Sequence, residues 1–169
     1  MSKKITVMVL TIMFLLHALS SYSQNNLNQK TNLLLSVQED PENQLGLIFW
    51  VKKLEEATRF LKEEKDQDAE KILTNAKSYL TDATEYHYNL FQVLSKQPKT
   101  SSQSKIEKAH ALDFGGLRDQ SYYLLAQVYI RQNKLKEAVK LLIEVVKSQG
   151  DSELGHKAYK ALQDIKFSD

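Results

Sequence analysis

The sequence predicts an all-α protein built of antiparallel helical hairpins, and three stretches carry that prediction. Around the polar turn Gln132–Lys134, two runs of apolar residues recur at helical spacing. From Ala69 to Leu94 a third run keeps the same 3–4 spacing with no glycine or proline. Glu153–Ile165 ends the chain with one apolar face, made of Leu154, Ala158, Ala161, Leu162 and Ile165.

Taken in order, the chain begins with a basic MSKK, then the 15-residue apolar run ITVMVLTIMFLLHAL, then SSYSQ. That order reads as a secretory signal peptide over residues 1–23, with Ser21 and Ser23 flanking a cut before Gln24. A membrane span needs roughly 20 apolar residues, and this run is shorter and contains His17. Cleavage is the reading; a membrane tether by an uncleaved N-terminal segment is the alternative. The chain has no cysteine, which excludes disulfides and a lipid anchor on an N-terminal cysteine. It also lacks an Asn-x-Ser/Thr sequon. The expected location is a bacterial periplasm or an equivalent lumen.

Cleavage removes Lys3 and Lys4 and no acid, so 23 basic and 21 acidic residues become 21 of each. A neutral mature chain gives no electrostatic case for nucleic acid, and its mixed charge runs give no membrane-binding stripe. Residues 24–40 are rich in Asn and Gln and read as a polar linker. Residues 41–169 are then long enough for a single domain with its own core.

Asp40-Pro41-Glu42 has the chemistry of a helix start: a capping side chain, a proline in the first turn and an acid near the positive end. The spacing predicts a helix from there to about Glu64, with Trp50 in the core beside Ile48 and Phe49. The next stretch has two readings. Asp68–Lys96 is one helix about 44 Å long at ~1.5 Å per residue, or it breaks near Thr81-Asp82, where Asp82 and Glu85 form a capping box. Gln97–Ser104 is a loop. A further helix follows, and Gly115-Gly116 is its weak point; we read a bend or break there.

In the last hairpin, Tyr122, Leu125, Ala126 and Tyr129 face Leu135, Ala138, Leu142 and Val145. Alanines on both helices let the backbones approach, and Tyr129 and Leu142 fill the space beyond. This register resembles the tetratricopeptide repeat, with residues 153–166 in the place of a capping helix. Ala57, Ala69 and Ala76 repeat the spacing of Ala126, Ala138 and Val145 at an offset of 69 residues, about two repeats of ~34. The candidate repeats are residues 50–83, 84–118 and 119–152. The resemblance implies a right-handed helical array that binds a protein or peptide on its concave face. Carried over, the partner-binding positions are Gln120, Tyr123, Gln127 and Arg131.

Little in the sequence points to catalysis. There is no Gly-rich phosphate loop, nucleophile elbow or cysteine site. Two Glu-x-x-His pairs occur, Glu107–His110 and Glu153–His156. His156 lies about 200° round from Leu154 and points to solvent, and Glu107 lies at the margin of its stripe. His87 reads as a half-buried histidine bonded to a tyrosine or to backbone. The expectation is therefore no enzyme, no cofactor and no metal. The function expected is an exported adaptor or assembly factor for an extracytoplasmic complex. The alternatives are a self-associating structural helical protein and a small metal-binding helical protein.

Overall fold

A computed structural model describes residues 46–165. The predicted export signal 1–23, the predicted linker 24–40, the expected helix start at Asp40-Pro41-Glu42 and residue 166 of the expected cap lie outside the described residues. Among the described residues the chain is all helical, with helices α1 (Leu47–Lys62), α2 (Asp66–Leu94), α3 (Ser101–Arg131), α4 (Leu135–Gln149) and α5 (Glu153–Asp164). A 3-10 turn, Pro98–Thr100, joins α2 to α3.

Two hairpins, α1–α2 and α3–α4, share one turn. In the first, Glu64 adopts φ 58°, and in the second Asn133 adopts φ 59°. The residues that follow, Lys65 and Lys134, lie at φ −87°, ψ 62° and φ −89°, ψ 61°. The turn hydrogen bonds match as well: Lys65 N–H donates to Phe60 C=O and Lys134 N–H to Tyr129 C=O, at 2.9 and 2.8 Å. Every one of these pairs is 69 residues apart. Beyond the turns, Ala57, Ala69 and Ala76 and their counterparts Ala126, Ala138 and Val145 are all 0 % exposed. Small side chains at the crossings bring the helices together, and Leu54, Leu73, Leu125 and Leu142 then fill the interior. Each buried leucine contributes about 1.5–3 kcal/mol of hydrophobic stabilisation.

The two turns lie side by side. Arg131 donates to the Leu61 carbonyl, which also accepts from the Glu64 N–H at 3.4 Å, and to Asp66. Gln132 and Lys134 both reach Glu70. Helix α5 packs chiefly on α4 and also touches α3. Its Ser152 cap accepts from the Gly155 N–H. Gly155 permits this docking, because a Cβ there would lie 2.0 Å from the Gln149 carbonyl oxygen. Leu154, Ala161, Leu162 and Ile165 join the core cluster from the face the sequence predicted.

The structure decides between the two readings of α2 and corrects the break expected at Gly115-Gly116. The described first helix begins at Leu47, with Gly46 at its N-cap position. Helix α2 does not break near Thr81-Asp82: it is one helix of 29 residues, about 44 Å long. Thr81 and Thr84 return their hydroxyls to the Lys77 and Leu80 carbonyls and sit within an unbroken ladder, and no capping box forms. Helix α3 runs through Gly115-Gly116 without interruption. Gly115 faces Thr84 on α2, where a Cβ would make ordinary contact at 3.6 Å, so packing against α2 holds the helix across the pair. The candidate boundaries at 83/84 and 118/119 thus fall inside helices.

Residues 84–118 form the far half of α2, the 3-10 turn and the near half of α3. Among the described residues only these two helices build this arm. Past Leu80, α2 has no fully buried side chain. The facing half of α3 buries Ser104, Glu107, Ala111 and Phe114. The body therefore has an apolar core, and the arm has a polar one.

Candidate functional site

The four partner-binding positions lie on α3, but they are not equivalent. Gln120 is exposed, and Tyr123 and Gln127 are half-buried. Tyr123 packs against the core cluster and lies near Lys157 of α5. Arg131 is engaged within the chain, 2.9 Å from both the Leu61 carbonyl and the Asp66 carboxylate. Its guanidinium joins the two hairpins, which makes it a structural group first.

The chemistry of the molecule concentrates inside the arm. His87 Nδ1 on α2 lies 2.7 Å from Glu107 Oε2 on α3. The predicted partner for His87 was a tyrosine or backbone; the carboxylate takes that place. Glu107 is only 6 % exposed, well inside the margin position expected for it. Its other oxygen accepts from Gln103, one turn earlier on α3. The carboxyl is held below its ordinary value of 4.5. The His87 hydrogen bond is the largest cause; burial opposes it, and Gln103 and the charges of His87 and His110 add to it. An ionised carboxylate is an acceptor only, so His87 carries its proton on Nδ1 in this arrangement.

His110, one helical turn after Glu107, presents its ring edge-on to His87 with centroids 5.0 Å apart. Among the described residues no hydrogen bond is made by its imidazole. One donor atom from each of His87, Glu107 and His110 falls within 4.8 Å of the others. On the opposite side, Phe114 stacks on His87 at 5.3 Å with the planes 7° apart. The ring series continues from Phe114 to Tyr79 and Trp50, so the trio is tied to the core of the first hairpin. Two imidazoles and a buried carboxylate converging from two helices can share protons or hold a cation.

The surface of the arm exposes several large hydrophobics among its charged residues. Among the described residues eight large hydrophobics are exposed, and five of them lie on the arm, spread around its two helices: Tyr86, Tyr88, Val93, Ile106 and Leu112. Leu112 is 68 % exposed. Tyr88, Phe91, Ala111 and Leu112 line a shallow apolar groove of about 430 Å³ between the two helices. A second groove of about 720 Å³ runs between α1 and α2, past Phe49, Trp50 and Phe60. Among the described residues no helix is long and apolar enough to cross a membrane.

Sequence reasoning missed the trio because it weighed each histidine on its own helix. A signal was present. Folding the chain back between Leu94 and Ser101 sets residue 87 opposite residue 108, within a turn of both Glu107 and His110. No family model matches the chain, and no curated protein or solved structure shows significant similarity to it.

Proposed function

We infer that this protein is a protein-binding scaffold: two tetratricopeptide-like hairpins that carry an arm whose apolar flanks meet a partner protein. The observation that carries this reading is the arm's surface. Among the described residues five of the eight exposed large hydrophobics lie on the arm, and two of them, Tyr88 and Leu112, border its apolar groove with Phe91 and Ala111; apolar exposure of that kind marks contact sites. The repeat-like body supports it: the 69-residue offset covers one hairpin of about 34 residues plus an inserted arm of similar length. The two hairpins then stack directly, with Arg131 bridging them. Of the residues carried over from the family, Gln120, Tyr123 and Gln127 border the same helix and form a secondary contact for an extended peptide. The signal-like residues 1–23 support a role outside the cytoplasm, as an adaptor or assembly factor in an extracytoplasmic complex.

The test is a photo-crosslinking amino acid placed at Leu112, at Tyr123, or at the exposed Lys140 of α4, in cells that make the protein. The scaffold reading expects a discrete heavier adduct at Leu112, a weaker one at Tyr123 and none at Lys140. Adducts of twice the chain mass at Leu112 would instead establish the self-associating alternative. Equal or absent labelling at all three positions would end the reading.

A further inference from the structure

We propose that His87, Glu107 and His110 form a binding site for a divalent transition-metal ion of the zinc class. The donor set is two imidazole nitrogens and one carboxylate oxygen, the mixture that zinc accepts when one coordination position stays open. The trio already stands close to the geometry required. Ligand bonds of about 2.0–2.2 Å at tetrahedral angles place donor atoms ~3.3 Å apart. The His87–Glu107 pair opens slightly from 2.7 Å to reach that spacing, and the remaining separations close from at most 4.8 Å. Side-chain rotation supplies movements of that size.

Three features favour a site over a simple ion pair. His110 is half-buried beside a buried carboxylate, and its imidazole forms no hydrogen bond among the described residues. Gln103 holds the second oxygen of Glu107, as an outer partner does for a ligating carboxylate. Phe114 closes one face of His87 and fixes the plane of its ring. The location also matters. The arm's interior holds no large apolar cluster, so an ion bridging α2 to α3 would fasten the two helices where hydrophobic packing is thin. For the ion to sit at His87 Nδ1, the ring proton moves from Nδ1 to Nε2, which leaves the neutral imidazole and the Glu107 carboxylate both as donors to the ion.

The experiment is a titration of the purified, metal-stripped full chain with zinc(II), read by calorimetry, and with cobalt(II), read by visible absorption. The proposal expects one equivalent of zinc and the absorption of tetrahedral cobalt. It further expects at least a tenfold loss of affinity in both His110→Ala and Glu107→Gln, and no change in His156→Ala, the exposed histidine of α5. His110→Gln, which keeps the side-chain volume, guards against a packing effect and should lose affinity equally. Absence of stoichiometric binding would overturn the proposal. So would binding that survives both arm variants, or binding lost in His156→Ala. No partner protein is needed, so the result is independent of the scaffold reading.

Discussion

The two hairpins match at the turn and part company at the far end. At the turn the backbone angles agree within a few degrees, and the same buried small residues recur 69 positions apart. At the far end, Trp50 of the first hairpin stacks on Tyr79 at 5.1 Å. The corresponding residues of the second are Asp119 and Ser148. There the fully buried Asp119 accepts from Arg118, Ser148 and Gln149. One hairpin is closed by aromatic stacking, the other by a satisfied polar network. The difference follows from what each end adjoins. The aromatic end continues through Phe114 to His87 and so anchors the arm. The polar end pins α3 to α4 just before the chain turns into α5. Positions near the turn set the repeat; positions far from it are free to specialise.

That contrast breaks most visibly at the far ends. Trp50→Ala should cost about 3–5 kcal/mol in unfolding free energy, as large-to-small changes at buried aromatics do. Its indole N–H is buried with no partner among the described residues, so Trp50→Phe should cost only about 1 kcal/mol. Asp119→Ala should cost about 3 kcal/mol, because three donors lose one acceptor while Arg118 keeps some access to water. Denaturant melts of the three variants check this ordering.

The equivalent interior positions should behave alike. Leu73 and Leu142 are both 0 % exposed and 69 residues apart. Leu73→Ala and Leu142→Ala should each cost about 2–5 kcal/mol, within ~1 kcal/mol of one another. A wide split would deny that the hairpins are structural equivalents.

Acid should weaken the arm. Glu107 has a depressed carboxyl pKa in the folded state. Its contribution is therefore present above the ordinary value near 4.5 and is lost as pH falls through the lower folded value. Wild type should exceed Glu107→Gln in stability at neutral pH, and the gap should narrow below pH 4.5. Paired melts across that range provide the check.

The smallest effect lies in the turns. Glu64 and Asn133 share the left-handed backbone region, which asparagine tolerates better than glutamate. Glu64→Asn should stabilise by about 0.5 kcal/mol and Asn133→Glu should destabilise by a similar amount. Thermal melts of the single and exchanged variants would show whether the turns are interchangeable.

Much of the body was legible in the sequence because its stripes are local. The buried alanines at residues 57, 69, 76, 126 and 138 were visible as spacing, and so was the apolar face of α5. Helix ends and interruptions were less legible. Gly115-Gly116 reads as a weak point from propensity alone, yet contact with α2 outweighs a cost of ~1 kcal/mol per glycine. The offset of 69 was visible, but whether a third repeat or an arm filled the interval depended on whether α2 breaks. Site residues were the least legible. Arg131 looked like a surface group, and its partners Leu61 and Asp66 lie in the other hairpin. His87 and Glu107 meet only across the pairing of α2 with α3.

The most direct test of two hairpins with an inserted arm is to replace residues 86–112 by a short turn and follow unfolding by circular dichroism. Thr84 and Gly115 face each other closely enough for such a turn to join them. The account predicts a single cooperative transition, with only the arm's share of helix missing. A broad, non-cooperative melt would contradict it, and would mean that α2 and α3 fold only as full-length helices.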